Sequence, residues 1–325
     1  MPDVARSRLY RNGALAAEGF PAAEVAGLIR DPSAVVWLDL CAPGREELEA
    51  LGAELGVHEL AVEDAVKRRQ RPKLDAYDGH LFLSVHAARF DAGSGGLRVA
   101  EAAAFVARNV LVTVREPDFP IDEVVRRWDE QAGLAAHGVM FLLYGLLDYV
   151  VDTHFDAVER IDDEVEALEE TVFGDGPVTP ADQRRAYRIR KSLVRLRRIV
   201  VPMREVVNGL MRREEELGDG RMRPYLLDVY DHVLRATEWT ESLRELLADI
   251  REAHLTMQGN RMNMIMKRVT SWAAIIAVPT LITGFYGQNL PFPGFGQVWG
   301  FWVSNALIVI ASVTLYLTFR SRDWL

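Results

Sequence analysis

A long stretch near the end of the chain carries no charged side chain. Residues 269–319 contain no Asp, Glu, Lys or Arg, although these four types make up 26% of all residues. Two apolar runs dominate this stretch, and the loop GFYGQNLPFPGFG, residues 284–296, joins them. An α-helix rises about 1.5 Å per residue, so each run can cross a hydrocarbon core of about 30 Å. The sequence therefore predicts a first transmembrane helix at 269–287, an outer loop at 288–297 and a second transmembrane helix at 298–319.

Basic residues flank the two predicted spans on one side only. Lys267 and Arg268 precede the first span, and Arg320 and Arg322 follow the second in a basic tail of residues 320–325. Cytoplasmic flanks of membrane helices are enriched in Lys and Arg. The sequence also begins without the apolar segment of a secretory signal. We therefore expect a multi-pass protein of the cytoplasmic membrane, in contact with lipid, with both termini in the cytoplasm.

Small and polar residues recur along one side of the first predicted span. They are Asn263, Met266, Thr270, Ala273, Ala277, Thr280, Gly284 and Gly287. Bulky residues such as Trp272, Ile276 and Phe285 occupy the other sides. Small residues let membrane helices approach closely, which favours a helix-packing face. The same stripe is typical of a pore lining, formed when several copies surround an axis. The spacing alone does not separate these two interpretations.

The region before the spans divides into three predicted parts. Residues 1–120 contain strand-like runs and one amphipathic helix, which indicates an α/β domain. The strand-like runs are SRLYRNG, VVWLDL, HLFLSVHAARF, AEAAAFVA and NVLVTVRE. Residues 121–222 have a helical pattern, almost unbroken from Asp122 to Glu170, and complete the cytoplasmic domain. Residues 223–268 form a predicted stalk helix that continues into the first span, giving one helix of about 65 residues and about 95 Å.

The helical region carries opposite charges on two neighbouring segments. Residues 148–173 hold ten acidic residues and one Arg, whereas residues 184–204 hold nine basic residues and no acidic one. Because helices joined by a short loop lie antiparallel, we expect the two segments to neutralise each other. This expectation and the net charge of −9 argue against nucleic acid as a partner.

Several classes of site are missing from the sequence. It has no Walker A motif, no HExxH, no GxSxG and no GxGxxG followed by a suitable helix. The single cysteine, Cys41, excludes an internal disulfide and a cysteine-based metal site. We therefore expect a protein that is not an enzyme and carries no organic cofactor.

Motifs along nearly the whole chain resemble the CorA superfamily of divalent-cation channels, which includes magnesium and cobalt transporters and a zinc-transporting branch. They are WLDL at 37–40, HELAVEDA at 58–65, RPKLDAY at 71–77, NVLVTVRE at 109–116, RIDDEVEALEE at 160–170, VVPMREVV at 200–207, PYLLDVYDH at 224–232 and PTLITGFYGQN at 279–289. The resemblance implies an α+β fold with a cytoplasmic α/β/α funnel domain, a long stalk helix and two C-terminal transmembrane helices, assembled as a homopentamer. It also implies that the stripe on the first span lines the pore.

The outer end of the first span departs from the family pattern. The family has Tyr-Gly-Met-Asn, whereas this chain has Tyr286, Gly287, Gln288 and Asn289, followed by a loop without an acidic residue. The resemblance implies that Asn289 hydrogen-bonds to the water shell of the ion, with Gln288 adding amides, and that hydrated Mg²⁺, Co²⁺ or Ni²⁺ is imported. The zinc branch also departs from Gly-Met-Asn, so the change leaves the transported cation open. A non-conducting oligomeric scaffold or sensor is the remaining alternative.

Two acidic residues match family positions that bind regulatory metal ions. The resemblance implies that Asp91 and Asp228 bind intracellular divalent ions between subunits and hold the pore closed. Their residue types alone also fit a turn Asp and a solvent-exposed helix Asp. The expected partners are therefore further copies of the chain and divalent cations, as transported and regulatory ions, with no other cofactor.

Overall fold

Two compact units make up the chain, Met1–Ala248 and Asp249–Leu325. The computed structural model describes residues 6–67, 70–174, 176, 178–288, 291 and 293–325. The first unit contains a β-sheet and several helices, and the second contains the end of one long helix together with a further helix.

A mixed sheet forms the centre of the first unit. Its described strands are β1 (Arg6–Arg11), β2 (Ala14–Glu18), β3 (Ala34–Cys41), β4 (Lys73–Tyr77), β5 (His80–Asp91), β6 (Gly96–Ala107) and β7 (Val110–Arg115). They lie in the order β2-β1-β3-β7-β6-β5-β4. Strands β3 and β7 are parallel and the other neighbours are antiparallel. The parallel pair is rich in Val and Leu, as expected for strands buried on both faces.

The strand predictions are confirmed for β1, β3, β5, β6 and β7, which overlap the five strand-like runs. Strands β2 and β4 are not among the predicted ones. Both lie at the edges of the sheet, and the side chains of β2, with the sequence ALAAE, are all exposed. Edge strands bury little surface, so they do not need the alternation of apolar and polar residues that identifies a strand.

Helices cover both faces of the sheet. In chain order the described α-helices are α1 (Val25–Leu28), α2 (Arg45–Leu55), α3 (Glu59–Lys67), α4 (Ile121–Glu130), α5 (Val139–Phe173), α6 (Pro180–Met211), α7 (Glu214–Leu217), α8 (Arg223–Tyr286) and α9 (Val298–Ser321). On one face, Leu38 of β3 shares a core with Val62 of α3. On the other face, Trp37 of β3 shares a core with Trp128 of α4 and with α5. The first unit is therefore an α/β/α sandwich, and the predicted fold class is confirmed.

The region from Asp122 to Glu170, whose helical pattern is almost unbroken in the sequence, is divided in the structure. Helix α4 ends at Glu130, a 3₁₀ segment covers Ala132–His137, and α5 begins after Gly138. Gly138 has φ +68° and ψ −143°, a combination that glycine adopts readily and that interrupts a right-handed helix. The helical period resumes directly afterwards, so the pattern of apolar residues does not show the break.

The acidic and basic segments lie on α5 and α6. Among the described residues one ion pair joins these helices, with Nε of Arg185 lying 2.8 Å from Oε2 of Glu164. Asp148 and Asp152 of α5 instead contact Arg127 of α4. Many of the other charged side chains in the two segments are exposed. The expected neutralisation is therefore confirmed for one pair, and most of the charge faces away from the helix–helix contact.

Two helices in the described part of the chain, α8 and α9, are long and apolar enough to cross a membrane. The predicted span 298–319 lies within α9, and residues 269–286 of the other predicted span lie within α8. Their large apolar side chains are mostly exposed, for example Leu281 at 74% and Ile310 at 63%. Exposed apolar surface of this extent is unfavourable in water and favourable in lipid, as expected for membrane helices.

Candidate functional site

The predicted stripe of small and polar residues lies on the exposed surface of α8 and its outer end. Its members Asn263, Met266, Thr270, Ala273, Ala277, Thr280, Gly284 and Gly287 are all exposed in the single chain. The less exposed residues of the same segment include Ser271, Ala274, Ile275, Val278 and Ile282. At about 100° per residue, the two sets lie roughly 140° apart around the helix axis. The stripe is therefore free to face other copies of the chain.

The threonine hydroxyl oxygens on this segment of α8 can accept hydrogen bonds from water. The hydroxyl of Thr280 donates to the carbonyl oxygen of Ile276 at 3.0 Å, and that of Thr283 donates to the carbonyl oxygen of Thr280 at 3.0 Å. Each hydroxyl proton is thus used inside the helix, while the hydroxyl oxygen can still accept hydrogen bonds. These acceptors carry no formal charge, so they bind water more weakly than a carboxylate does.

The backbone turns tightly at the C-terminal end of α8. The amide of Gly287 donates to the carbonyl oxygen of Thr283 at 2.8 Å, and the amide of Gln288 donates to that of Phe285 at 3.3 Å. A Cβ atom at Gly287 would lie 3.0 Å from the carbonyl oxygen of Thr283, which is closer than ordinary van der Waals contact. Glycine is therefore the residue that fits this approach.

The remaining members of the outer motif have different environments. Tyr286, the last residue of α8, is partly buried and contacts the ring of Phe285 edge to face at 5.6 Å between centroids. The side chain of Gln288 is exposed. Asn289, to which the resemblance assigns the contact with the hydrated ion, lies outside the described residues. Its role stays a prediction from sequence.

The two predicted regulatory residues lie on different elements of the first unit. Asp91 ends β5, and its Oδ2 accepts a hydrogen bond from the Ser94 hydroxyl at 2.7 Å, which is the main cause of the lowered pKa of Asp91. Asp228 lies on α8, with Oδ2 4.0 Å from Nδ1 of His232. Over the described residues, no three His, Cys, Asp or Glu side chains are grouped to bind a metal ion. The assignment of Asp91 and Asp228 as regulatory residues remains a prediction.

A buried carboxylate within the WLDL motif has a structural role that the sequence pattern does not show. Asp39 of β3 accepts hydrogen bonds from the Thr113 hydroxyl at 2.7 Å and from Nε of Arg115 at 2.9 Å, both on β7. Burial raises the pKa of Asp39, and these two contacts oppose that shift. Both carboxylate oxygens accept hydrogen bonds from β7, so the buried Asp39 joins the two parallel strands.

The chain is similar to known proteins in both sequence and fold. The family described as CorA-like Mg²⁺ transporter protein matches residues 32–321. The cobalt/magnesium transport protein CorA of Thermotoga maritima is 29% identical over 300 residues, which cover 91% of this chain and 85% of that protein. The putative metal ion transporter YfjQ of Bacillus subtilis is 29% identical over 290 residues, 89% of each chain. The complete structure of the CorA magnesium transporter from Methanocaldococcus jannaschii has a TM-score of 0.78 at 21% identity, with 100% of both chains covered.

The family match extends from just before β3 through α8 to the last residue of α9. It therefore includes most of the sheet, the long helix and both apolar helices. The solved structure shares this fold over its whole length. The resemblance seen in the sequence motifs is confirmed, and the chain belongs to the family of CorA-like Mg²⁺ transporter proteins.

Proposed function

We propose that this chain is a divalent metal-cation channel of the cytoplasmic membrane that imports hydrated Mg²⁺, and also Co²⁺ and Ni²⁺, passively. The observation that carries the proposal is the exposed stripe of small and polar residues on α8, on a side of the helix away from its less exposed face. The names of the Thermotoga and Methanocaldococcus relatives support the choice of Mg²⁺ and Co²⁺. The family consists of channel-like transporters, which confirms the expectation that the chain is not an enzyme.

In this proposal five copies of α8 surround a water-filled axis, as homology to CorA implies. Thr270 and Thr280 offer hydroxyl oxygens to the water shell of the ion, and Ala277 leaves room for that shell. Met266 forms an apolar constriction, and Asn263 lies at the cytoplasmic end of the path. The stripe contains no carboxylate. The ion is therefore bound weakly enough to leave the path.

The outer mouth has to recognise Mg²⁺ without removing its water. Mg²⁺ holds its octahedral water shell tightly, so a site that strips this shell would be costly to enter. A ring of Asn289 carboxamide oxygens can instead accept hydrogen bonds from the bound waters, and Gln288 can add further amides. The absence of a side chain at Gly287 lets the ion path approach the backbone at the same level.

The membrane potential supplies the driving force for import. An inside-negative potential contributes about 2.3 kcal/mol per charge per 100 mV, and hence about 4.6 kcal/mol for a divalent ion. The direction follows from the proposed orientation, in which Lys267, Arg268, Arg320 and Arg322 mark the cytoplasmic side. No nucleotide-binding motif is required for this transport.

Replacing Asn289 by alanine should lower Mg²⁺ influx by about tenfold or more, because the ring loses charge-assisted hydrogen bonds to the hydrated ion. Influx is measured in vesicles that contain the purified protein, a Mg²⁺-sensitive dye and an inside-negative potential. Asn305→Ala is the matched control, since Nδ2 of Asn305 on α9 donates to the carbonyl oxygen of Phe301 at 2.9 Å. Equal influx in the Asn289 variant and the unmodified protein would contradict the proposed role of the outer motif.

The same assay separates the two other candidate functions. The Gln288 substitution and the uncharged outer loop favour a zinc transporter of the same superfamily as the second candidate. Influx of Zn²⁺ without Mg²⁺, Co²⁺ or Ni²⁺ would establish it. Absence of influx for all four ions, in a protein that still assembles, would favour a non-conducting scaffold or sensor.

We also infer that Asp91 and Asp228 bind a regulatory divalent ion with help from a neighbouring copy. The double variant Asp91→Asn and Asp228→Asn should need about a tenfold higher internal Mg²⁺ concentration to close, which corresponds to about 1.4 kcal/mol of lost ion-binding free energy. The measurement is influx as a function of Mg²⁺ on the cytoplasmic side. Asp231→Asn, at an exposed residue of α8, is the control. An unchanged concentration for closure would exclude the assignment.

A further inference from the structure

The chain turns back sharply where α9 ends. The amide of Trp324 donates to the carbonyl oxygen of Phe319 at 2.9 Å, and the amide of Asp323 donates to that of Arg320 at 3.3 Å. Asp323 has φ +53°, the left-handed conformation. These two bonds and this conformation define a Schellman motif, in which the residue after the left-handed one contacts the last turn of the helix. The position of Trp324 is therefore fixed by the backbone as well as by its side chain.

The ring of Trp324 contacts two groups from different helices. It stacks on the ring of Phe319 of α9, with centroids 5.7 Å apart and planes 6° from parallel. Nζ of Lys267 of α8 lies 5.9 Å from the centroid of the Trp324 ring, within the range of a cation–π contact. We call Phe319, Trp324 and Lys267 the aromatic clasp. All three residues belong to the second unit, so the clasp joins its two membrane helices.

Lys267 lies at the border between the stripe and the less exposed face of α8. It follows Asn263 by four residues and precedes Thr270 by three, so it neighbours both stripe residues on the helix surface. Ser271, which is 1% exposed, follows Lys267 by four residues on the other side. The long side chain of Lys267 can therefore point either toward the stripe or toward α9. In the structure, the contact with Trp324 directs the side chain of Lys267 toward α9.

We propose that Trp324 is a positioning residue that holds the ammonium group of Lys267 against α9 and away from the cation path. This inference rests on the proposed function, because it requires the stripe to line that path. Without the Trp324 ring, the Lys267 ammonium of every copy can approach the cytoplasmic end of the path near Asn263 and Thr270. Positive charge at that place repels a divalent cation that has to leave the path there. The clasp thus favours conduction through a residue that does not touch the ion.

The first test detects the clasp without any transport measurement. The chain has four lysines, Lys67, Lys73, Lys191 and Lys267. A water-soluble amine-acylating reagent is applied to the full-length oligomer, and the acylation rate of Lys267 is determined by mass spectrometry relative to exposed Lys191. Trp324→Leu should raise this relative rate by about two- to fivefold, as expected for the loss of an exposed cation–π contact. Trp324→Phe keeps an aromatic face and should stay near the unmodified rate.

The second test measures Mg²⁺ influx into vesicles for the same variants. Trp324→Leu keeps an apolar contact with Phe319, so the turn after α9 is preserved, but influx should fall by about two- to fivefold. Trp324→Phe should retain most of the influx. Adding Lys267→Gln to Trp324→Leu should restore influx, because the released charge is then absent. A merely structural role of Trp324 would not be corrected by removing Lys267.

The two readouts distinguish the possible failures. An unchanged acylation rate in Trp324→Leu would show that the clasp does not form and would overturn the inference. Faster acylation with unchanged influx, or reduced influx that Lys267→Gln does not restore, would overturn the positioning role. Absence of influx in the unmodified protein would instead contradict the proposed function and remove the cation path on which that role depends.

Discussion

Replacing Ala277 by phenylalanine is expected to reduce Mg²⁺ influx by about tenfold or more, because bulky apolar rings at one level of a pore expel water and block a hydrated ion. Ala277 is exposed on the stripe of α8, between the stripe residues Thr270 and Thr280. In the proposed assembly each copy adds one ring at the same height. Influx into vesicles that contain equal amounts of assembled protein provides the measurement.

The control for this variant is Val309→Phe on α9, where the side chain is 60% exposed. That residue faces lipid in the proposed assembly, so its substitution should leave influx within about twofold of the unmodified protein. Equal influx in the Ala277 and Val309 variants would show that the stripe does not line the path.

Replacing Trp128 by alanine should destabilise the first unit by about 3–5 kcal/mol, the usual cost of removing a large buried aromatic residue. Trp128 is 1% exposed and contacts Trp37 edge to face, with centroids 4.8 Å apart. Its Nε1 donates to the carbonyl oxygen of Leu142 at 3.0 Å. Gly145 of α5 leaves room for the ring, since a Cβ atom there would lie 2.5 Å from it. The substitution therefore removes the packing of the ring and its hydrogen bond to Leu142.

The measurement is the change in unfolding temperature or denaturant midpoint of the purified full-length protein. Tyr187→Ala on α6 is the control, because its side chain is 67% exposed and its loss should change the free energy of unfolding by about 0.5 kcal/mol or less. Similar stability of the two variants would mean that the contact between Trp37 and Trp128 does not support the sandwich.

The sequence predicts those parts of the fold that repeat a local pattern. The absence of charge over 269–319 indicates the two apolar helices, and alternating or continuous apolar runs indicate β3, β5 and β7. The break at Gly138, which has a positive φ angle, is not recognisable in the sequence because the helical period continues on both of its sides. Strand β2 is not recognisable in the sequence because an exposed edge strand has no apolar face to bury.

Contacts between residues far apart in sequence are the part that local patterns do not show. Asp39 lies in a recognisable motif, but its partners Thr113 and Arg115 belong to a strand far along the chain. The contact of Lys267 with Trp324 depends likewise on how two helices meet. The stripe on α8 is visible in the sequence, yet its role depends on other copies of the chain. That role stays a prediction, as does the contact of Asn289 with the ion.

The accessibility of single cysteines to a charged thiol reagent tests most directly whether the stripe of α8 faces water. Cysteines are introduced separately at Ala277 and at Val309, in a protein with Cys41→Ala, and a membrane-impermeant cationic methanethiosulfonate is added while Mg²⁺ influx is recorded. If the stripe surrounds a water-filled axis, the cysteine at position 277 is modified and influx stops, whereas the cysteine at 309 does not react. An unreactive cysteine at 277, or equal reaction at both positions, would contradict a pore lined by α8.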